Sequence, residues 1–146
     1  MINARAETLS EKPSFRSAFK QHRCLIPATG FFEWQKTTSG KQAFHIHLPR
    51  YALFAFAGLW EQWSDEQQTL YSCTIITTCA DQQMQAIHAR MPVIIPAQNY
   101  QDWLKIKTPA DKIHRLLQSR YNQNLKYTAI SNRVNSPRHN DPDCLK

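Results

Sequence analysis

The sequence predicts a mixed α and β domain, of class α+β, dominated by a curved antiparallel β-sheet with short helices at its flanks. Three observations carry that prediction. Five short runs rich in β-branched and aromatic residues follow one another between positions 24 and 78. Clusters of turn-forming residues separate them, at Thr38-Ser39-Gly40, Pro49-Arg50 and Ser64-Asp65-Glu66. Helical patterning is confined to short stretches on either side of these runs.

In chain order, residues 13–20 suit a short helix, with Phe15 and Phe19 four apart on one face. The five runs, 24–26, 31–35, 43–48, 53–60 and 70–78, read as an antiparallel meander. Asp81 can cap a short helix over 82–87. Residues 93–95, bounded by Pro92 and Pro96, are a further strand. Residues 96–103 and 109–119 read as helices, the second with Ile113, Leu116 and Leu117 in a stripe. Residues 127–131 form a last strand. Residues 1–5 are short of strand signals and enter no capped element, so strands of a larger sheet are expected to be missing upstream. Five sequential strands leave two open edges, which predicts edge-strand self-association unless they close or are covered.

Composition excludes several classes of function. A chain of 146 residues with 42% hydrophobic content fits one domain with a real core rather than a disordered segment. No apolar run approaches the roughly 18 residues of a membrane span, and residues 51–60 read as a buried strand. The N-terminus lacks the apolar core of a secretory signal. With three glycines and neither G-x-G-x-x-G nor a P-loop, no nucleotide cofactor is expected. The four cysteines, Cys24, Cys73, Cys79 and Cys144, show no C-x-x-C spacing, so neither a zinc ribbon nor a redox pair is indicated. Cys73 and Cys79 read as core or near-core thiols, kept reduced in a cytosol. The net charge of +7 favours a polyanionic partner, of which nucleic acid is the commonest.

Three segments set unusual polar residues between stiff flanks: Asn3-Ala4-Arg5-Ala6-Glu7-Thr8, Pro27-Ala28-Thr29-Gly30-Phe31-Phe32-Glu33-Trp34 and Ile87-His88-Ala89-Arg90-Met91-Pro92. Strand alternation puts Glu33 on one face with Phe31 and Gln35, and Phe32 and Trp34 on the other. A carboxylate beside aromatic bulk loses solvent and becomes a usable proton carrier; the alternative is a surface ion pair. His88, at a helix-to-strand junction, is either a proton carrier near neutral pH or a half-buried structural imidazole. His45 and His47 share a strand face and could ligate a metal, but no third ligand is indicated. Arg5, Arg16, Arg23 and Arg90 with Trp34, Trp60 and Trp63 could line a basic, aromatic groove for single-stranded nucleic acid, or the tryptophans could be core.

Together with Cys24-Leu25-Ile26-Pro27-Ala28, Phe54-Ala55-Phe56-Ala57-Gly58-Leu59-Trp60, Thr74-Ile75-Ile76-Thr77-Thr78 and Val134-Asn135, these segments resemble the SOS response-associated peptidase family, also described as abasic-site processing proteins. The resemblance runs across nearly the whole chain. It implies a single domain, residues 1–146, on a barrel-like sheet, matching the C-terminal two thirds of the family's domain. It implies abasic sites in single-stranded DNA as partner, no metal or organic cofactor, and a cytoplasmic protein that joins the nucleoid when bound to DNA. The family's chemistry implies a cysteine directly after the initiator methionine, self-removal of that methionine, and a thiazolidine crosslink to the opened sugar. Peptidase and lyase-type activity belong to that picture. Carried over residue by residue, Asn3, Glu33 and His88 are catalytic, and Arg5, Thr77 and Arg90 contact DNA. Residue 2 is Ile2, so the nucleophilic cysteine is absent. The chain is therefore expected to be truncated and to have lost crosslinking, with a non-catalytic single-stranded DNA-binding module or an inactive fragment as the alternatives.

Overall fold

The computed structural model describes residues 1–118 and 124–146. Its elements are β1 (Asn3–Arg5), α1 (Pro13–Gln21), β2 (Arg23–Ala28), β3 (Gly30–Thr37), β4 (Gly40–His47), β5 (Phe54–Ser64), β6 (Thr69–Cys79), β7 (Arg90–Pro92), β8 (Ile94–Ile95), α2 (Tyr100–Leu104), α3 (Ala110–Gln118) and β9 (Lys126–Ile130). The class is α+β, as the patterning predicts. Ser119, the predicted end of the last helix, lies outside the described residues.

The strands do not form one meander. One sheet runs β1-β6-β5-β2, with β7 on β6 and β8 on β5; the other runs β3-β4-β9. Among the described residues neither sheet closes on itself. Strand β2 pairs antiparallel with β5, Cys24 opposite Gly58, and not with its sequence neighbour β3. The reason is the connection. Only Thr29 separates β2 from β3, and a tight hairpin needs about two loop residues. The chain bends there and continues into the second sheet.

Residues 1–5 depart from expectation too. Residues 3–5 form β1, which lies parallel to β6 with Asn3 opposite Ile75 and Arg5 opposite Thr77. The predicted strand 93–95 is divided. Val93 N–H donates to Ile76 O at 2.9 Å and Val93 O accepts from Ala57 N–H at 2.8 Å. Residues 90–95 thus fill the gap where β5 and β6 diverge.

The first sheet is covered on both faces. On one, α1, α2 and α3 bring Phe15, Phe19, Trp103, Ile113 and Leu117 against Leu59 and Ile76. Trp103 is fully buried, and its indole N–H donates to Cys24 O at 2.8 Å. On the other, Phe54, Phe56 and Ile94 meet Ile46 of the second sheet, with Met84 and Met91. Burial on both faces is why residues 54–59 read as an unbroken apolar run. Each buried phenylalanine contributes about 1.5–3 kcal/mol.

Beyond Trp60 the β5–β6 hairpin projects past the core, and residues 61–73 are exposed. Cys73, expected near the core, is therefore in solvent, and so is Cys79 at the end of β6. Cys144 is buried, and burial pushes the half-buried Cys24 thiol up to about 11. Among the described residues no helix is long and apolar enough to cross a membrane.

Candidate functional site

A cleft of about 360 Å³ opens where the two sheets meet. Asn3 and Arg5 of β1, Glu33 of β3, Thr77 of β6, His88 from the connection before β7 and Arg90 of β7 all line it. Sequence reasoning singled out all six, and the fold brings them together.

One wall is built by β1. Its parallel register sets Arg5 beside Thr77, whose hydroxyl donates to Ala4 O at 3.3 Å. Arg90 braces this wall. Its Nη1 and Nη2 donate to Glu7 Oε1 at 2.9 Å and Oε2 at 3.0 Å, and Nη2 also to Thr77 O at 2.6 Å. A planar guanidinium matches a carboxylate in this two-pronged way, which fixes orientation as well as charge. Arg90 Nε is buried without a partner. The Arg90 fork holds the Glu7 carboxyl below the usual carboxylate range. Arg5, by contrast, is exposed and has no carboxylate partner among the described residues.

The opposite wall carries the proton-handling pair. Asp81 Oδ1 accepts from Met84 N–H at 2.8 Å and starts a 3₁₀ turn over Met84–Ala86, a tighter version of the helix expected there. Gln35, on the same face of β3 as Glu33, donates to Ala86 O at 2.7 Å. Ala80 N–H donates to Ala89 O at 3.0 Å. These bonds pin the turn against β3 and present His88 to Glu33. The Nδ1 of His88 lies 3.8 Å from Glu33 Oε1, too far for a direct hydrogen bond but close enough for the charges to couple. The same nitrogen lies 3.2 Å from Arg90 N–H and 3.0 Å from Arg90 O, so it accepts or donates according to its protonation.

Glu33 is 22% exposed and His88 is 47% exposed. Burial pushes the Glu33 carboxyl above its ordinary value, while the charge of His88 and a backbone hydrogen bond at Trp34 pull it back. A carboxyl kept protonated into a higher pH range, beside an imidazole open to solvent, can pass protons to and from a bound group.

The broader basic and aromatic groove does not form. Arg5 and Arg90 line this cleft, but Arg16 and Arg23 line a separate pocket. Trp60 stacks on His22 at 4.3 Å, the Trp34 indole donates to Asn135 Oδ1 at 2.6 Å, and Trp63 sits on the exposed hairpin. Side chains far apart in sequence were grouped by type, and packing distributes them over different surfaces. His45 and His47 stack on each other at 4.8 Å, and the His47 ring nitrogens meet Leu48 O and Thr128 Oγ1. No group of three or more potential metal ligands occurs among the described residues.

Two contributors were missed. Glu7 sits two residues beyond Arg5 in a segment already singled out, yet its partner is far along the chain. Gln35 shares a strand face with Glu33, and that alternation was a signal for it.

A family profile described as SOS response associated peptidase (SRAP) matches residues 1–137. The chain is 46% identical over 149 residues to the abasic site processing protein YoqW of Bacillus subtilis (strain 168), covering 100% of this chain and 66% of that protein. It is 32% identical over 165 residues to the abasic site processing protein HMCES of Xenopus tropicalis, covering 98% of this chain and 49% of that one. A crystal structure of a Bacteroides thetaiotaomicron protein superposes with a TM-score of 0.89 at 29% identity, over 99% of this chain and 64% of that chain. The chain thus spans slightly less than two thirds of the bacterial relative's length and about half of the vertebrate one's.

Proposed function

The chain belongs to the SOS response associated peptidase family, and on that premise we propose that its cleft receives the sugar of an abasic site in single-stranded DNA. Glu33 and His88 are the proton carriers, Asn3 orients the reacting carbon, and Arg5, Thr77 and Arg90 form the side along which the strand lies. The observation that carries this reading is the convergence of Asn3, Glu33 and His88 on one cleft beside Arg5, which has no carboxylate partner among the described residues.

The chemistry matches the groups. An abasic sugar rests mainly as a closed ring. Opening it takes the proton from the anomeric hydroxyl, breaks the bond from that carbon to the ring oxygen, and delivers a proton to the ring oxygen. A carboxyl and an imidazole on one side of a cleft can do both. The Asn3 amide is exposed and can donate to the carbonyl oxygen that forms. If the base then removes the proton next to the aldehyde, the 3′ phosphate leaves, which is a lyase outcome.

A thiazolidine needs an amine and a thiol on one residue. Cys24, Cys73, Cys79 and Cys144 are internal, so their nitrogens are peptide nitrogens. None of these side chains can close that ring. On a denaturing gel, this chain with abasic single-stranded DNA is expected to leave no heat-stable adduct. In fluorescence anisotropy it is expected to prefer the abasic strand over an intact one, and Glu33→Gln with His88→Asn to erase the preference. An adduct from this chain alone would contradict the reading of its cysteines. Equal affinity for the two strands would remove the cleft as the lesion site and leave a sequence-blind single-strand binder, which the net charge of +7 favours.

A further inference from the structure

A second concavity, of about 420 Å³, lies between α1 and α3. Arg16 and Lys20 of α1, Arg23 at the start of β2, Thr108 from the connection before α3 and His114 of α3 line it, and no carboxylate does. The cleft, by comparison, sets Glu33 against Arg5 and Arg90.

Three features leave this pocket electrically unfinished. Arg16 and Lys20 are four residues apart on the exposed side of α1, where like charges repel. Neither has a carboxylate partner among the described residues. The Arg23 guanidinium is part-buried, and its four bonds go to carbonyls: Trp103 O at 2.7 Å, Phe19 O at 2.8 Å, Lys20 O at 3.2 Å and Lys105 O at 2.7 Å. Carbonyls satisfy its N–H groups but carry no net charge, so the cation stays uncompensated. Thr108 Oγ1 is buried without a hydrogen-bond partner at the same wall.

Three cations around a concave, partly apolar surface focus the field on one spot. A carboxylate has two oxygens and one charge. A phosphate ester has more oxygens and, as a monoester, more charge, and an arginine fork with a lysine point charge is a common way to hold one. We propose that the pocket between α1 and α3 is an anion site that takes a phosphate group, separate from the cleft.

Its position allows a strand phosphate as well as a free ester. Ser10 lines this pocket and Arg5 lines the cleft. A five-residue separation spans at most about 18 Å of extended chain, within reach of one bound strand.

The test is an NMR titration of the full chain at low salt, with the His114 ring as reporter. One arm uses inorganic phosphate and the other an undamaged single-stranded oligonucleotide. Arg16→Gln/Lys20→Gln is expected to weaken the response about tenfold. Lys36→Gln/Lys41→Gln, which removes equal charge from the exposed β3–β4 hairpin, is expected to change it less than about twofold. Arg16→Lys/Lys20→Arg keeps the charge and should retain binding. A response to both probes supports the site. A response to phosphate alone assigns it to free esters, and a response to the oligonucleotide alone assigns it to a strand. No response in either arm, or equal weakening by the two charge-matched variants, overturns the proposal.

Discussion

Glu33 lines the cleft and Glu7 holds Arg90 of its wall, and the two carboxyls respond to pH in opposite directions. Burial raises the Glu33 pKa in the folded chain above its unfolded value, ordinarily about 4.3. The folded state therefore keeps a proton that the unfolded chain has released. The resulting penalty is absent below the unfolded pKa and is complete once the pH has risen through the folded one. Glu33→Gln should raise the melting temperature at about pH 8 and leave it unchanged near pH 3. Glu7 runs the other way, because the Arg90 fork lowers its pKa. Its contribution is present above the unfolded value and is lost as the pH falls through the folded one. Glu7 is 44% exposed, so Glu7→Gln should cost about 1 kcal/mol or less near neutral pH and nothing in acid. Denaturant titrations of the two variants across pH check both slopes; two curves of the same sign would contradict the assignment. Glu33 and His88 were legible as types, a carboxylate among aromatic residues and an imidazole at a junction. Glu7 was not, because its role is set by Arg90, far along the chain.

Element geometry depends on a few tight approaches. Gly30 opens β3 after the one-residue step from β2, and a Cβ there would run into the His45 ring and come within 2.9 Å of Ile46 O. The β3–β4 register that carries Glu33 starts at this pair of strands, with Gly30 opposite His47. Gly30→Ala should destabilise the fold by about 1–3 kcal/mol through overpacking, measured by urea denaturation. A neutral result would mean that the β2-to-β3 step relaxes freely. The helices were readable because α1 and α3 show their apolar stripes plainly: Phe15 and Phe19 in one, Ile113, Leu116 and Leu117 in the other, all buried. The strands were readable as strands but not as partners. Nothing in residues 24–35 announces that β2 leaves β3 and joins β5. Nor does Asn3-Ala4-Arg5 look like a strand, since three residues hold parallel to β6 only when the rest of that sheet exists.

At the scale of the molecule, the cleft exists because two sheets dock. Asn3, Arg5, Thr77 and Arg90 come from elements of the first sheet and Glu33 from the second. With a net charge of +7, cations that have no carboxylate partner among the described residues lie at the cleft, as Arg5, and between α1 and α3, as Arg16 and Lys20. Single-strand binding should therefore weaken with salt, with a log–log slope of about −1.4 or steeper if two or more phosphates are neutralised. A flat dependence would count against a nucleic-acid partner. Composition, hydrophobic period and short motifs were enough for the class, the positions of most elements, the charge and the family kinship. All of these are local or summed properties, so they survive in a one-dimensional string. Strand partnership, the meeting of Glu33 with His88, the locking of Arg90 to Glu7 and the separation of the basic residues onto two surfaces are of another kind. They follow from how loops turn and how side chains pack between segments distant in the chain, and they come into being only when the whole core closes.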